Sequence, residues 1–265
     1  MCSANVTTFI NKTKDVVEQL YGAKVIQDFP NYAEFWIKFI GDPKKGTPDA
    51  YGLSYDPNFK SEEREKIDKI YDEICMAHYS LFCHLAGAHF QSEQLESILK
   101  LGDSKDKFFQ HWETFEIGYF HLGSVFYQVY HLWGLLFLLK GEVTRTNQGF
   151  KPRIKEKLRD YIRTKGQITL LTEFDDIIKG IKDIRDSVVH FSRVASLYID
   201  GEYLIPFNLK QTIWAEQVKE GGWLETCRKT KSDLRRTEEV VNTIHDYLIA
   251  EVDNFLKGKQ IKINY

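Results

Sequence analysis

The sequence predicts a mainly α-helical bundle with one small β-hairpin. Apolar residues recur at helical spacing through several long stretches, and one of those stretches is apolar nearly all round. Two β-prone runs flank an Asp-Gly pair near residues 197–209. At 265 residues the chain can bury a substantial core without covalent staples. We read residues 61–265 as the helical domain and residues 1–60 as an N-terminal elaboration packed on it.

Taken in order, the first 58 residues are mixed. Phe29-Pro30, Asp42-Pro43 and Thr47-Pro48 interrupt any pattern, and NYAEFWIKFIG (residues 31–41) reads equally as a short aromatic helix or a strand. From Ser61 the spacing sharpens. Ser61 reads as an N-cap followed by the acidic pair Glu62 and Glu63, and Ile67, Ile70, Ile74, Leu81 and Leu85 then mark one helical face. This helix should end near Gly102, with a break at Gly87.

A second helix is predicted over 107–140. Its segment 117–139, IGYFHLGSVFYQVYHLWGLLFLL, is long enough to cross a bilayer. It carries His121, Gln128 and His131 and has no counterpart elsewhere in the chain, which assigns it to the centre of a bundle and not to a membrane. A short basic helix follows over 151–166, with Pro152 near its start where proline is tolerated. The next helix spans about 172–198. LYIDGEYLIPFNL (197–209) then departs from helical spacing, and Asp200-Gly201 is a strong two-residue hairpin turn. A last helix over about 232–257 aligns Leu234, Val241, Ile244, Leu248, Val252 and Phe255. There is no internal repeat and no low-complexity segment.

Composition narrows the class of function. The formal net charge is −2, so nucleic-acid binding must come from local patches. Cys2, Cys75, Cys83 and Cys227 fall at irregular spacings without a CxxC pair, which fits reduced thiols in the cytoplasm. The N-terminus reads as lacking a secretory signal. Walker-type, dinucleotide-binding and G-x-S-x-G motifs are absent from the sequence. Cys75, His78, Cys83, His84 and His89 invite a zinc reading, but only Cys75 and His78 share a helical face and no pair recurs at the spacing of a zinc module. The expectation is no metal and no cofactor.

The stretch IKDIRDSVVHF (181–191) is the most informative. At about 100° per residue, Ile177, Ile181, Ile184, Val188, Phe191 and Ala195 form one broad stripe, which must be the core face. His190 falls roughly opposite, with Asp186 one turn earlier able to hold its imidazole, and Arg193 shares that outer face. Arg185 sits on the flank. An offset of five separates Arg185 from His190 by about 140° on an ideal helix, so one copy of the motif does not converge on a single atom.

Arg185-Asp186-Ser187-Val188-Val189-His190 resembles the R-x4-6-H signature of HEPN domains, helical bundles in which a polar residue such as Asp follows the arginine. The resemblance implies a HEPN-like bundle and a homodimer in which two copies of the motif form a composite, metal-independent ribonuclease site. It further implies a role in defence or stress, with RNA as substrate and an antitoxin or sensor protein as a controlling partner. Ser192 stands where an R-x4-H-x-Y variant of the signature carries tyrosine, so regulation by modification of that tyrosine is not expected.

The chemistry suits these residue types. Cleaving RNA through its own 2′-hydroxyl needs a base, an acid and a cation for the charge on phosphorus. Histidine can be either of the first two, and arginine can grip phosphate oxygens. His190 is therefore assigned as general base or acid, Arg185 as phosphorane stabiliser and Asp186 as the orienting carboxylate, with Ser187, Glu113 and Glu116 as supporting residues. Lys151, Arg153, Lys155, Lys157, Arg159 and Arg163, with Arg193, are the candidate RNA-binding residues. Arg228, Lys229, Lys231, Arg235 and Arg236 form a second basic run. The rival reading is a non-catalytic helical module that binds a protein or nucleotide partner.

Overall fold

The computed structural model describes residues 52–101, 105–145, 151–190, 197–199, 202–204 and 223–264. Side chains are described within these except at 105–109, 112, 151–152, 185–190, 197–199, 202–204, 223, 225–226 and 264. The element order is β1 (Gly52–Ser54), α1 (Ser61–Leu99), α2 (Lys105–Leu139), α3 (Lys151–Thr164), α4 (Ile168–His190), β2 (Leu197–Ile199), β3 (Glu202–Leu204), α5 (Trp223–Gly258) and β4 (Lys262–Asn264). The protein is a mainly α-helical bundle with a small hairpin, as the periodicity predicts. The expectations for residues 1–51 lie outside the described residues.

The α1 helix starts one residue earlier than a Ser61 cap requires. Lys60 holds the extended cap conformation (φ −64°, ψ 129°), and Ser61 is already helical. Glu62 and Glu63 occupy the first turn, where the helix dipole favours negative charge. The helix passes through Gly87 without a break, because α1 packs along the length of α2 and that packing offsets a glycine penalty of about 1 kcal/mol.

The α2 helix is the axis of the bundle and touches all four of the other described helices. That explains its apolar residues on the sides that meet those helices: Phe115, Tyr119, Leu122, Trp133, Leu135 and Leu136 are all fully buried, while Ile117, Phe120 and Tyr127 are exposed. By length and composition α2 could also cross a membrane, over Glu113–Leu139. Two helices end on glycines with left-handed backbone, Gly141 (φ 72°) after α2 and Gly166 (φ 70°) after α3. In each, the following N–H reaches back to an orphan carbonyl, Glu142 to Phe137 at 2.8 Å and Gln167 to Ile162 at 3.3 Å.

The α4 helix begins at Ile168, ahead of the expected 172, and its helical backbone is described through His190. Ile177, Ile181 and Ile184 are buried, as the stripe predicts; Val188, Phe191 and Ala195 lie outside the described side chains. Tyr198 belongs to β2, not to the helix, because the β-prone runs pair across two residues with Leu197 opposite Leu204 and Ile199 opposite Glu202. The last helix starts at Trp223, nine residues before the expected Ser232. The segment TCRKTKS is mostly polar, yet Cys227 and Thr230 are buried and continue the inner face. Leu234, Val241, Ile244, Leu248 and Val252 are buried on that face and Phe255 packs at its edge.

One element has no counterpart in the sequence reading. β1 and β4 pair antiparallel, with Leu53 opposite Ile263, and tie the segment before α1 to the segment after α5. Three-residue strands are too short to show the alternation by which strands are recognised.

Candidate functional site

The six residues of the Arg-His motif occupy the last turns of α4 with helical backbone. The side chains of Arg185, Asp186, Ser187 and His190 lie outside the described residues, as does Arg193 entirely. The regular helix preserves the angular separation of positions 185 and 190.

The supporting acids are both on α2. Glu113 is exposed and lines a groove of about 490 Å³ with Gln91, Gln94 and Ser97 of α1. Glu116 is half-buried on the same helix.

The basic segment is less available than its composition suggests. On α3, Lys157 bonds Glu142 at 2.9 Å and lies over the Phe137 ring, Arg159 holds Asp175 through two nitrogens, and Arg163 bonds Asp160 at 2.7 Å. Arg153 and Lys155 are exposed. The Lys151 side chain is outside the described residues. The second run is similarly committed: Lys229 bonds Asp233 at 2.9 Å, Lys231 pairs with Glu96, Arg235 with Glu239 and Arg236 with Glu173. Ion pairs at partly exposed positions contribute little stability, but they reduce the positive field a phosphate backbone would meet.

The local Cys/His cluster disperses. His78 stacks on buried His245 at 4.7 Å, His89 bonds Glu238 at 2.8 Å, and His84 faces His121. Among the described residues no three His, Cys, Asp or Glu side chains converge on one point.

The His84 and His121 contact was not visible in the sequence. The helices α1 and α2 form an antiparallel pair, and the imidazoles meet in the seam with their Nδ1 atoms 3.1 Å apart. Burial lowers both pKa values below the ordinary 6.5, and the neighbouring His84 ring lowers that of His121 further, so both are neutral at pH 7. One Nδ1–H then donates to the other Nδ1. Gly87, three residues beyond His84, makes room: a Cβ there would stand 2.6–2.8 Å from the His121 ring atoms. Phe120 flanks both imidazoles.

The outer surface around this seam is unusual in a chain that is 28% charged. Neither residues 76–92 of α1 nor residues 117–139 of α2 include Asp, Glu, Lys or Arg. Met76 (62% exposed), Tyr79, Ile117, Phe120 and Tyr127 (52%) are exposed there. The only signal in the sequence was the lack of charge on both faces of two helices, which burial of one face alone does not require. No family model, no curated protein and no solved structure matches this chain.

Proposed function

We propose that this protein is a metal-independent endoribonuclease of the HEPN type, acting as a homodimer in the cytoplasm in defence or stress. The observation that supports the reading is the regular backbone of α4 through His190 with Ile177, Ile181 and Ile184 buried. On such a helix, positions 186 and 190 lie opposite the core face, and positions 185 and 190 stay about 140° apart. A complete site therefore takes Arg185 from one copy and His190 from another.

In the mechanism, one His190 takes the proton from the ribose 2′-hydroxyl as its oxygen attacks phosphorus. The P–O5′ bond breaks, and the second His190, protonated, gives its proton to the leaving 5′-oxygen. Arg185 holds the non-bridging oxygens through the phosphorane, and Asp186 orients the imidazole. The products are a 2′,3′-cyclic phosphate and a 5′-hydroxyl. Exposed Arg153 and Lys155 are the residues of α3 best disposed to meet the RNA backbone. A controlling antitoxin or sensor protein belongs to the same proposal.

The test is incubation with total RNA and transfer RNA in EDTA, beside folded His190→Ala and Arg185→Ala proteins. Cleavage that both substitutions abolish, and that a mixture of the two variants partly restores, supports a composite site. Equal cleavage by the variants, or none by the wild type, overturns it. A second reading, a non-catalytic module that binds a protein partner, is favoured by the uncharged α1–α2 face with exposed Met76, Phe120 and Tyr127. It predicts capture of a partner that survives loss of His190.

A further inference from the structure

We infer that His84 and His121 form a two-ligand site for a zinc-class divalent transition metal that clamps α1 to α2. This is independent of the α4 motif and of whether RNA is cut. Three observations carry it. The first is the bite. Two imidazole nitrogens bound to one tetrahedral zinc at 2.0–2.1 Å lie about 3.3 Å apart, and the two Nδ1 atoms already stand at 3.1 Å. The ring centres, 5.4 Å apart, need little change, and an ion enters once each ring turns by roughly 35° so that its Nδ1 lone pair points to a shared tetrahedral position.

The second is the construction of the seam. Any side chain at residue 87 would overlap the His121 ring, so a glycine in the middle of a 39-residue helix clears the space that ring occupies. Helical glycine costs about 1 kcal/mol relative to alanine. Here that cost secures one particular placement of an imidazole against its neighbour.

The third is ligand chemistry. Imidazole binds zinc-class metals through an unprotonated ring nitrogen, and each ring here offers its Nδ1 to the seam. Binding through both Nδ1 atoms requires the one Nδ1 proton shared between the rings to move to an Nε2 by tautomeric exchange with water; no oxidant or second ligand is consumed. Imidazole is a preferred donor for zinc, and the uncharged surroundings offer no competing carboxylate. The other two coordination positions are filled by water, since among the described residues no third ligand converges there.

The sequence contains eight histidines, so the test must identify which of them bind. Protein freed of metal with EDTA and dialysed is titrated with zinc sulfate by calorimetry, and the thermal midpoint is read with and without zinc. The wild type is expected to bind one zinc per chain and to melt higher with it. His84→Gln and His121→Gln should each lose that binding, and His131→Gln should keep it. Histidine ¹⁵N NMR of the wild type supplies a readout free of mutation: two rings, both shifting at Nδ1. Absence of stoichiometric binding, undiminished binding by both variants that remain folded, or shifts confined to other histidines would each overturn the site.

Discussion

Tyr119 of α2 donates its phenolic proton to Oδ2 of Asp233 on α5 at 2.6 Å, deep in the bundle. Lys229, one turn before Asp233, bonds the same oxygen at 2.9 Å. A carboxylate in so buried a place is kept by these two donors, and burial beside it drives the Tyr119 phenol well above its ordinary pKa. Tyr119→Phe should cost about 1–3 kcal/mol, the range for removing a hydrogen bond to a charged buried group. Urea unfolding measures it; a loss below a few tenths would mean that Lys229 alone satisfies the carboxylate.

Gly87→Ala gives a sign test of the seam. On a free helix surface the change adds about 1 kcal/mol of helix stability. Here the new Cβ collides with the His121 ring, and overpacking of this kind costs roughly 1–3 kcal/mol. Net destabilisation is expected. In a His121→Ala background the collision disappears, and the same Gly87→Ala change should stabilise. A double-mutant cycle by chemical denaturation reads both signs.

Stability should decline with acid before the carboxylates titrate. His84, His121 and His131 are all lowered from the ordinary 6.5, chiefly by burial, and for His131 also by the charge of Arg145. A group that binds protons more weakly when folded contributes stability that is full above its unfolded pKa and lost as pH falls through the folded values. Melting in EDTA should therefore fall between pH 7.5 and 5.5. Glu73 and Glu251, held below 4.5 by hydrogen bonds from Arg145 and Lys140, add their losses only at lower pH. Replacing the three histidines with Gln should flatten the upper window and leave the lower one.

Charge reversal separates RNA binding from structural pairing on α3. Arg153→Glu and Lys155→Glu, at exposed positions, should weaken RNA binding and lower its salt slope by about one for each phosphate no longer neutralised. Arg159→Glu places a second acid against Asp175 and should lower the melting midpoint instead. RNA affinity unchanged by the first two substitutions would remove α3 from the binding surface.

Much of the bundle was legible because burial leaves a periodic trace. Ile177, Ile181 and Ile184 on α4, and Leu234 to Val252 on α5, fall where the 3.6-residue repeat puts them. The start of α5 was not legible, because Cys227 and Thr230 bury small polar-looking side chains and leave no hydropathy signal. Paired basic residues misled in the same way: composition displays Lys157, Arg159 and Arg163 as a cationic strip, while Glu142, Asp175 and Asp160 reach them from other turns and segments.

The sequence by itself determined the helical class, the central place of α2, the hairpin about Asp200-Gly201 and the helical setting of Arg185 and His190. Each follows from periodicity or turn chemistry within one segment. Tertiary structure alone decided that His84 meets His121 across 37 positions, that Gly87 clears the ring, and that Tyr119 holds Asp233. Those relationships depend on the register of one helix against another. That register comes from the interlocking of whole faces, to which no single segment of sequence refers.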